Sequence, residues 1–466
     1  MSAVALDAVG SLCLHPGAAP AHAVLSRRPA VLQSLTQGQP AARLPALMGA
    51  LFGLCGSAQR LCAQLALQAT GAQLPAAPHS LPPAGVTHGG APTAFELERT
   101  LALETAREHL RRIALDWPRQ LGGGPAPVGG GAWQAAAAAS LADCPWWPRR
   151  HPSHRASASH GTHEAQAALA WLETAWLGLK AHDWLAHWHT DGLDWLQRWT
   201  QQQRLWLPAL LRPLCLGSAA APDLPCVAHL PLPDQWPLAP DGAENEPRLP
   251  IWPLAADTAP AKAPATATTS ATTSAPSSAP APSWQGQLVQ TGLWTRRRCR
   301  AVAAAHSTGL LGERIAELLR LSLWLAALPT VPEPAPPAAL PSASGLPEPA
   351  YAPSCLAWGW RSMGALHGLA WVEMARGLLL QQVRLSDDGA PARIVEMQMW
   401  APTDWNFAPG GVAAQALAAL DPDDPQCPAR VHQLMAALDP CVPYTLHPSP
   451  RQFAGPYPPL QEPCHA

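Results

Sequence analysis

The chain has 466 residues, long enough to bury a large core arranged as two or three domains or one big one. Its 30 Lys and Arg against 32 Asp and Glu leave a formal net charge of −2, which excludes a nucleic-acid footprint or a steering field for a charged polymer. Charged residues are only 13 % of the chain, no apolar run reaches membrane length, and the 11 Cys are odd in number and scattered, so free thiols are expected. Met1 to Gly17 holds no basic start followed by an apolar run, which predicts a cytoplasmic protein.

Residues 1–75 read as a short extended start followed by helices. Leu44, Leu47, Leu51, Leu54, Leu61 and Leu65 recur mostly three or four apart, predicting a buried helical stretch from Ala41 to Thr70. A Pro/Gly-rich loop over 76–92 leads to a helix from about Thr93 to Ile113. Its Glu96, Glu98, Glu104 and Glu108, with Arg99, Arg107, Arg111 and Arg112, predict a solvated face.

Segments 121–131 and 143–162 read as linkers. The second carries His151, His154, His160 and His163, better explained as a solvated loop than as a nickel chelate. From Glu164 to Leu211, Trp171, Trp176, Trp184, Trp188, Trp195, Trp199 and Trp206 fall mostly one or two helical turns apart. They form a stripe on one or two helices, for which core packing is the ordinary reading and a partner-docking groove the sharper one. Asp257 to Ser283 is nearly all Ala, Pro, Ser and Thr and cannot bury a core.

Gly309 to Leu328 follows as an amphipathic helix, then a Pro-rich loop over 329–353. Leu378 to Leu385 and Ala392 to Trp400 are β-prone runs around Asp387-Asp388-Gly389, the pattern of a hairpin. Helices begin near Gly411 and Ala429. Many helices with one short antiparallel sheet make the fold class α+β. No phosphate loop, dinucleotide fingerprint, nucleophile elbow or paired CxxC is present.

Five short stretches, in the same order, resemble the large subunit of NiFe hydrogenases. Phe52 to Cys55 stands where that family has Arg-x-Cys-Gly-x-Cys, and Gln290-Thr291-Gly292-Leu293-Trp294-Thr295-Arg296 is similar to its Glu-Thr-Gly-Pro-Leu-Ala-Arg. Gly368 to Gly377 resembles the segment ending Glu-Ala-Pro-Arg-Gly, and Ala401 to Asn406 resembles Pro-Thr-Thr-Trp-Asn. Asp439-Pro440-Cys441 to His447 is similar to Asp-Pro-Cys-x-x-Cys-x-x-His. The likeness covers 25–70 and 285–447.

Family large subunits hold nickel with four thiolates, two of them shared with an iron that carries carbonyl and cyanide. Here Phe52 and Tyr444 replace two of the cysteines, Ala50 the first motif's arginine, and Gln59 a histidine. Nickel in a sulfur site needs several soft thiolates in fixed geometry, so no nickel is expected. The resemblance leaves Cys55 and Cys441 as metal ligands, enough for a low-spin iron whose other positions are filled by diatomics. Arg376 and Thr403 stand where the family places donors to cyanide. Glu373 could instead pair with Arg376 if that stretch is helical, and Asp439 could cap the following turn. His447 marks where the family's catalytic subunits are trimmed after nickel insertion, so here the tail 448–466 is expected to be retained.

A large-subunit-like chain lacking these thiolates is similar to the HupK/HoxV-type hydrogenase accessory proteins. That implies an α+β, mostly helical large-subunit-like fold with a small antiparallel sheet, and a non-catalytic scaffold holding or assembling the Fe(CN)2(CO) fragment. Implied partners are a small HypC-type chaperone, a HypD-type iron carrier and the large-subunit precursor, with no nucleic acid or membrane. On this reading residues 1–120 form a large-subunit-like region, 121–253 a Trp/His-rich region and 254–284 a linker. Residues 285–447 form a second large-subunit-like region, followed by the tail 448–466. Two rivals remain: a metal-free chaperone docking the precursor through its Trp-rich region, and a divergent hydrogenase, improbable with two thiolates missing.

Overall fold

The computed structural model describes residues 10–27, 32–72, 94–122, 130–147, 161–216, 222–233, 282, 284, 287–296, 306–328, 357–387 and 391–447. The tail 448–466, His151, His154, His160, the hairpin tip 388–390 and nearly all of 257–283 lie outside them.

The fold is α+β, with one long helix as its spine. Helix α1 spans Leu44–Leu51, α2 Gly56–Ala69 and α3 Ala94–Arg111; a widened π-turn over Arg112–Asp116 leads into α4, Trp117–Leu121. Helices α5 (Gly130–Ala142), α6 (Gly161–Leu172), α7 (Ala181–Asp191), α8 (Leu193–Gln202) and α9 (Trp206–Leu216) form the middle of the chain. The spine, α10, runs Ser307–Ala327 and packs against α3, α6 and α7. The sequence predicts an amphipathic helix here, yet Glu313, Arg314, Glu317 and Arg320 are all buried with its apolar residues. Helices on several sides leave no solvated stripe, so its charges are forced to pair with one another or with neighbours.

The tryptophans of the middle helices point inward. Trp176, Trp184 and Trp199 are essentially inaccessible, and Trp188 and Trp195 are buried. Trp188 Nε1 donates to Glu313 Oε2 at 2.8 Å and Trp199 Nε1 to the Leu177 carbonyl at 2.9 Å. Indoles this deep, with two N–H groups already bonded, are core. The docking groove considered from sequence is not formed by Trp188 and Trp195.

Four strands, β3 (Trp358–Gly364), β4 (His367–Met374), β5 (Gly377–Leu385) and β6 (Ile394–Trp400), make an antiparallel meander. The expected hairpin is its β5–β6 pair, while β3 and β4 double the sheet. Strand β4 is buried along its whole length because α2 lies across it. At Gly368 an added Cβ would come within 2.1 Å of the Ala66 carbonyl oxygen, so helix and strand backbones meet there only because no side chain intervenes.

After the sheet come α11 (Pro402–Asn406), α12 (Val412–Ala418) and α13 (Cys427–Leu438). A small second sheet joins the two ends: β1 (Leu12–Leu14) pairs antiparallel with β2 (Val24–Ser26) and parallel with β7 (Tyr444–Leu446). Among the described residues no helix is long and apolar enough to cross a membrane.

Candidate metal-fragment site

The chain breaks helix between α1 and α2, and Cys55 occupies the break as the N-cap residue of α2. Its own side chain does not cap the helix. That task falls to Glu104 of α3, whose carboxylate accepts the Ser57 N–H at 2.7 Å and the Ala58 N–H at 3.0 Å. These are free donors at a helix start, where a carboxylate also meets the positive end of the helix dipole. Glu104 is therefore a structural group, not a member of a solvated face. Burial pushes its carboxyl above the ordinary range, with the two N–H bonds opposing.

Burial also pushes the Cys55 thiol up to about 12; Arg376 opposes this, and the second sulfur, Cys441, reinforces it. Gln59, one turn along α2, places Nε2 4.0 Å from Cys55 Sγ, and Gln381 of β5 holds that amide by donating to its Oε1 at 2.6 Å. Phe52, where the resembled family has sulfur, is half-buried and packs into the core.

Cys441 reaches the same place from the other end of the chain. Helix α13 stops because Asp439 turns left-handed, with φ of 54°, and Pro440 cannot continue it. Cys441 then meets Thr403 in the first turn of α11. The Thr403 hydroxyl accepts the Cys441 backbone N–H at 3.1 Å and donates to Cys441 Sγ at 3.0 Å. This fully buried hydroxyl fixes the sulfur's position and offers a hydrogen bond that strengthens as the thiol ionises.

Arg376 is near both sulfurs and borders the recess that each one lines. Residues 367–374 and 377–385 are strands, so Ala375 and Arg376 form the β4–β5 turn and the helical pairing of Glu373 with Arg376 does not arise. Gly377 makes the turn possible, with φ of +132° and a position for Cβ only 2.9 Å from the Gly292 nitrogen. Glu373 is buried in β4, its N–H bonded to the Ala357 carbonyl at 2.7 Å. The Arg376 guanidinium is held instead by Glu108 and by Asp439, at 3.3 Å from the latter.

Asp439 caps no following turn. Its buried carboxylate takes Arg112, Arg314 at 2.9 Å and Arg376, and these guanidiniums hold it ionised well below the usual carboxylate range. Glu108 also binds Arg111 at 2.9 Å, and Arg112 and Arg111 share Asp116 at 2.8 and 3.0 Å. Sequence reasoning misses Glu108, Arg112 and Asp439 as one cluster. The available signal is the spacing 104, 108, 111, 112, which puts acids and bases on one helix face that neighbouring helices then cover.

Two recesses open on this cluster. A narrow crevice is lined by Cys55, Glu104, Glu108 and Met374. Beside it lies a cavity of about 350 Å3 lined by Cys441, Arg112, Gln120 and Tyr444. Leu54 and Arg376 form walls of both. The Tyr444 hydroxyl, where the resembled family has its other sulfur, lies 2.8 Å from His432 Nδ1. His447 lines neither recess. It follows β7, donates its N–H to the Leu14 carbonyl at 2.9 Å and stacks on His15 at 5.1 Å.

Cys55 and Cys441 are both free thiols, and among the described residues no cluster of three or more His, Cys, Asp or Glu is placed to hold a metal. A metal taken up by this sulfur pair alone must carry further ligands of its own. Such ligands, if they are hydrogen-bond acceptors, would find Arg376 as a donor, while the one Thr403 hydroxyl hydrogen is already given to Cys441 Sγ.

No family model matches the chain. It is 36 % identical over 446 residues to the hydrogenase expression/formation protein HoxV of Cupriavidus necator, covering 95 % of this chain and 96 % of that one. It is also 34 % identical over 174 residues to HupK of Bradyrhizobium diazoefficiens, over 36 % of this chain and 40 % of that one. Among solved structures it is similar to the Ni-Fe-Se hydrogenase of D. vulgaris Hildenborough, at 15 % identity, a TM-score of 0.47, and 90 % and 92 % coverage. The full-length relationship to HoxV, with the shorter one to HupK, makes this chain a member of the HoxV/HupK family of hydrogenase expression/formation proteins.

Proposed function

We propose that the chain is a non-catalytic scaffold in NiFe-hydrogenase maturation, holding an Fe(CN)2(CO) fragment as cargo before transfer to the large-subunit precursor. The observation that carries this is that two free thiols line adjoining recesses that share Arg376 as a wall, with no third thiol lining either recess. Two thiolates suit an iron that arrives with three strong ligands already bound, and they are too few for nickel, which needs several thiolates in fixed geometry. Cyanide nitrogens are acceptors, and Arg376 supplies a fixed donor fork beside the sulfurs, with Thr403 holding Cys441 Sγ in place. Membership of an expression/formation family supports an accessory role, with a HypC-type chaperone, a HypD-type iron carrier and the precursor as the partners to test.

Infrared spectra of protein purified anaerobically with the maturation proteins test this directly. Cyanide and carbonyl stretching bands are expected, and Cys55→Ala or Cys441→Ala should each remove them. Bands that survive both substitutions, or a wild-type protein without them that still supports maturation with both Cys→Ser changes, would replace the scaffold by a metal-free chaperone.

A further inference from the structure

The small sheet that joins the two ends of the chain carries a pair of histidines at its rim. Among the described residues β7 pairs with β1 alone, over three residues, with Cys13 opposite Thr445. So short an edge strand has few hydrogen bonds to hold it, and the contacts at its end carry a large share of the hold. The Leu12 N–H donates to the Pro443 carbonyl at 3.0 Å, and the His447 N–H to the Leu14 carbonyl at 2.9 Å. There the His447 ring stacks on His15, centroids 5.1 Å and planes 23° apart. Thr445 Oγ1, 2.9 Å from His447 Nε2, fixes that ring in place.

The stack suits a neutral His15. That ring is buried, and its Nδ1 has no hydrogen-bond partner among the described residues. A charged imidazole carries N–H at both nitrogens, so it would keep an unpaired buried donor there. Burial first, then His447 and the exposed Arg27 past β2, holds His15 below the ordinary histidine value of 6.5. His22, on the single helical turn Pro20–Ala23, is exposed and adds no negative charge. The loop after α12 reaches Gly17 through Pro422 and brings Asp421, whose Oδ1 accepts the Asp423 N–H at 3.0 Å. Among the described residues the histidine paired with a carboxylate is His306, not His15 or His447. At the start of β7, His432 of α13 shares a hydrogen bond with the Tyr444 hydroxyl at 2.8 Å, and burial lowers it too.

We propose that the His15–His447 stack is a proton-operated clasp: charging it loosens β7 from β1 and, with that strand, the Tyr444 wall of the cavity beside Cys441. The clasp works the same way whatever the cavity holds, so it does not rest on the scaffold reading. Its sign follows from the buried ring. Above 6.5 the imidazole is neutral both clasped and freed, and the stack has its full hold. Below 6.5 the freed ring takes up a proton more readily than the clasped one, so the hold weakens as pH falls.

Hydrogen–deuterium exchange of the full chain tests this, read by mass spectrometry on the segment 443–447 and corrected for the intrinsic pH dependence of exchange. Protection of that segment should fall several-fold between about pH 7.5 and about pH 5.5. His15→Phe keeps a ring in the stack and removes its titration, so protection should stay level. His447→Phe removes the facing imidazole and should make the fall smaller. The exposed His22→Gln should behave as wild type. His432→Gln, which retains an amide for Tyr444, should leave the fall in place. Should His15→Phe fail to fold, His447→Phe decides. Unchanged protection in wild type, a full-sized fall in folded His15→Phe or His447→Phe, or a fall abolished by His432→Gln overturns the proposal. Cyanide and carbonyl bands, or their absence, bear on the scaffold alone.

Discussion

In the tryptophan-bearing layer, Glu313 accepts Trp188 Nε1 at 2.8 Å and Arg320 at 2.5 Å, while Arg320 also reaches Glu317 at 3.4 Å and His189 at 2.9 Å. In the sulfur pocket, one carboxylate, Asp439, faces three guanidiniums, and two thiols stand beside a cavity. Both regions bury arginine, and both set it on or against the spine helix α10. The first gathers Glu313, Glu317 and Arg320 with an indole donor, and none of them lines either recess described above. The second opens on two recesses, where a guest can reach the walls that Arg376 and the two sulfurs form. Burial of charge therefore does not by itself mark a site; buried charge next to open volume does.

That contrast can be broken most forcefully at Asp439. Replacing it with Ala strips three guanidiniums of their shared carboxylate and should cost about 3–5 kcal/mol in urea denaturation. A loss under ~1 kcal/mol would mean the cluster is solvated and the contrast false. Trp188→Ala opens a hole in the closed layer and orphans Glu313, for about 3 kcal/mol or more. In protein still folded, it should leave the alkylation rates of Cys55 and Cys441 unchanged, unlike Asp439→Ala. Gly312→Ala tests the same layer more gently. An added Cβ would sit 2.3 Å from the Trp188 ring, so overpacking of about 1–3 kcal/mol is expected from thermal denaturation.

Smaller effects sharpen the sulfur side. Because the folded Cys55 thiol is pushed from 9.0 to about 12, the unfolded chain loses its proton first. Stability should be unaffected by this group below pH 9, fall as pH rises from 9 toward 12, and fall less steeply in Cys55→Ser. Equal slopes in the two proteins would contradict the burial of that thiol. Thr403→Val removes the hydroxyl shared by the Cys441 N–H and Sγ, for about 1 kcal/mol. Urea denaturation reads this loss, and a stability equal to wild type would mean that the hydroxyl makes neither bond.

Much of the frame is legible along the chain. Leucine spacing announces α1 and α2, and β-prone runs announce β5 and β6. Strand β4 escapes because it is buried on every residue and so lacks the alternation that marks a half-buried strand. The cysteines, Arg376 and Thr403 can be picked out because short motifs carry them. Glu104, Glu108 and Arg112 cannot, since helix α3 has the charge pattern of a solvated face and only its tertiary surroundings make that face interior. Asp439 reads as a cap for the same reason: its three partners lie far away in sequence.

The π-turn at Arg112–Asp116 sets a limit on how this helix can vary. Wide turns of this kind hold one residue more than a regular turn, and each residue of an α-helix advances about 100° around the axis. Deleting a single residue there would restore regular winding but swing Arg111 and Arg112 out of phase with Trp117, which is fully buried. Ile113, Ala114 and Leu115 can be exchanged for other apolar residues, but the number of places is fixed by the need to keep Arg111 and Arg112 in phase with the buried Trp117 indole.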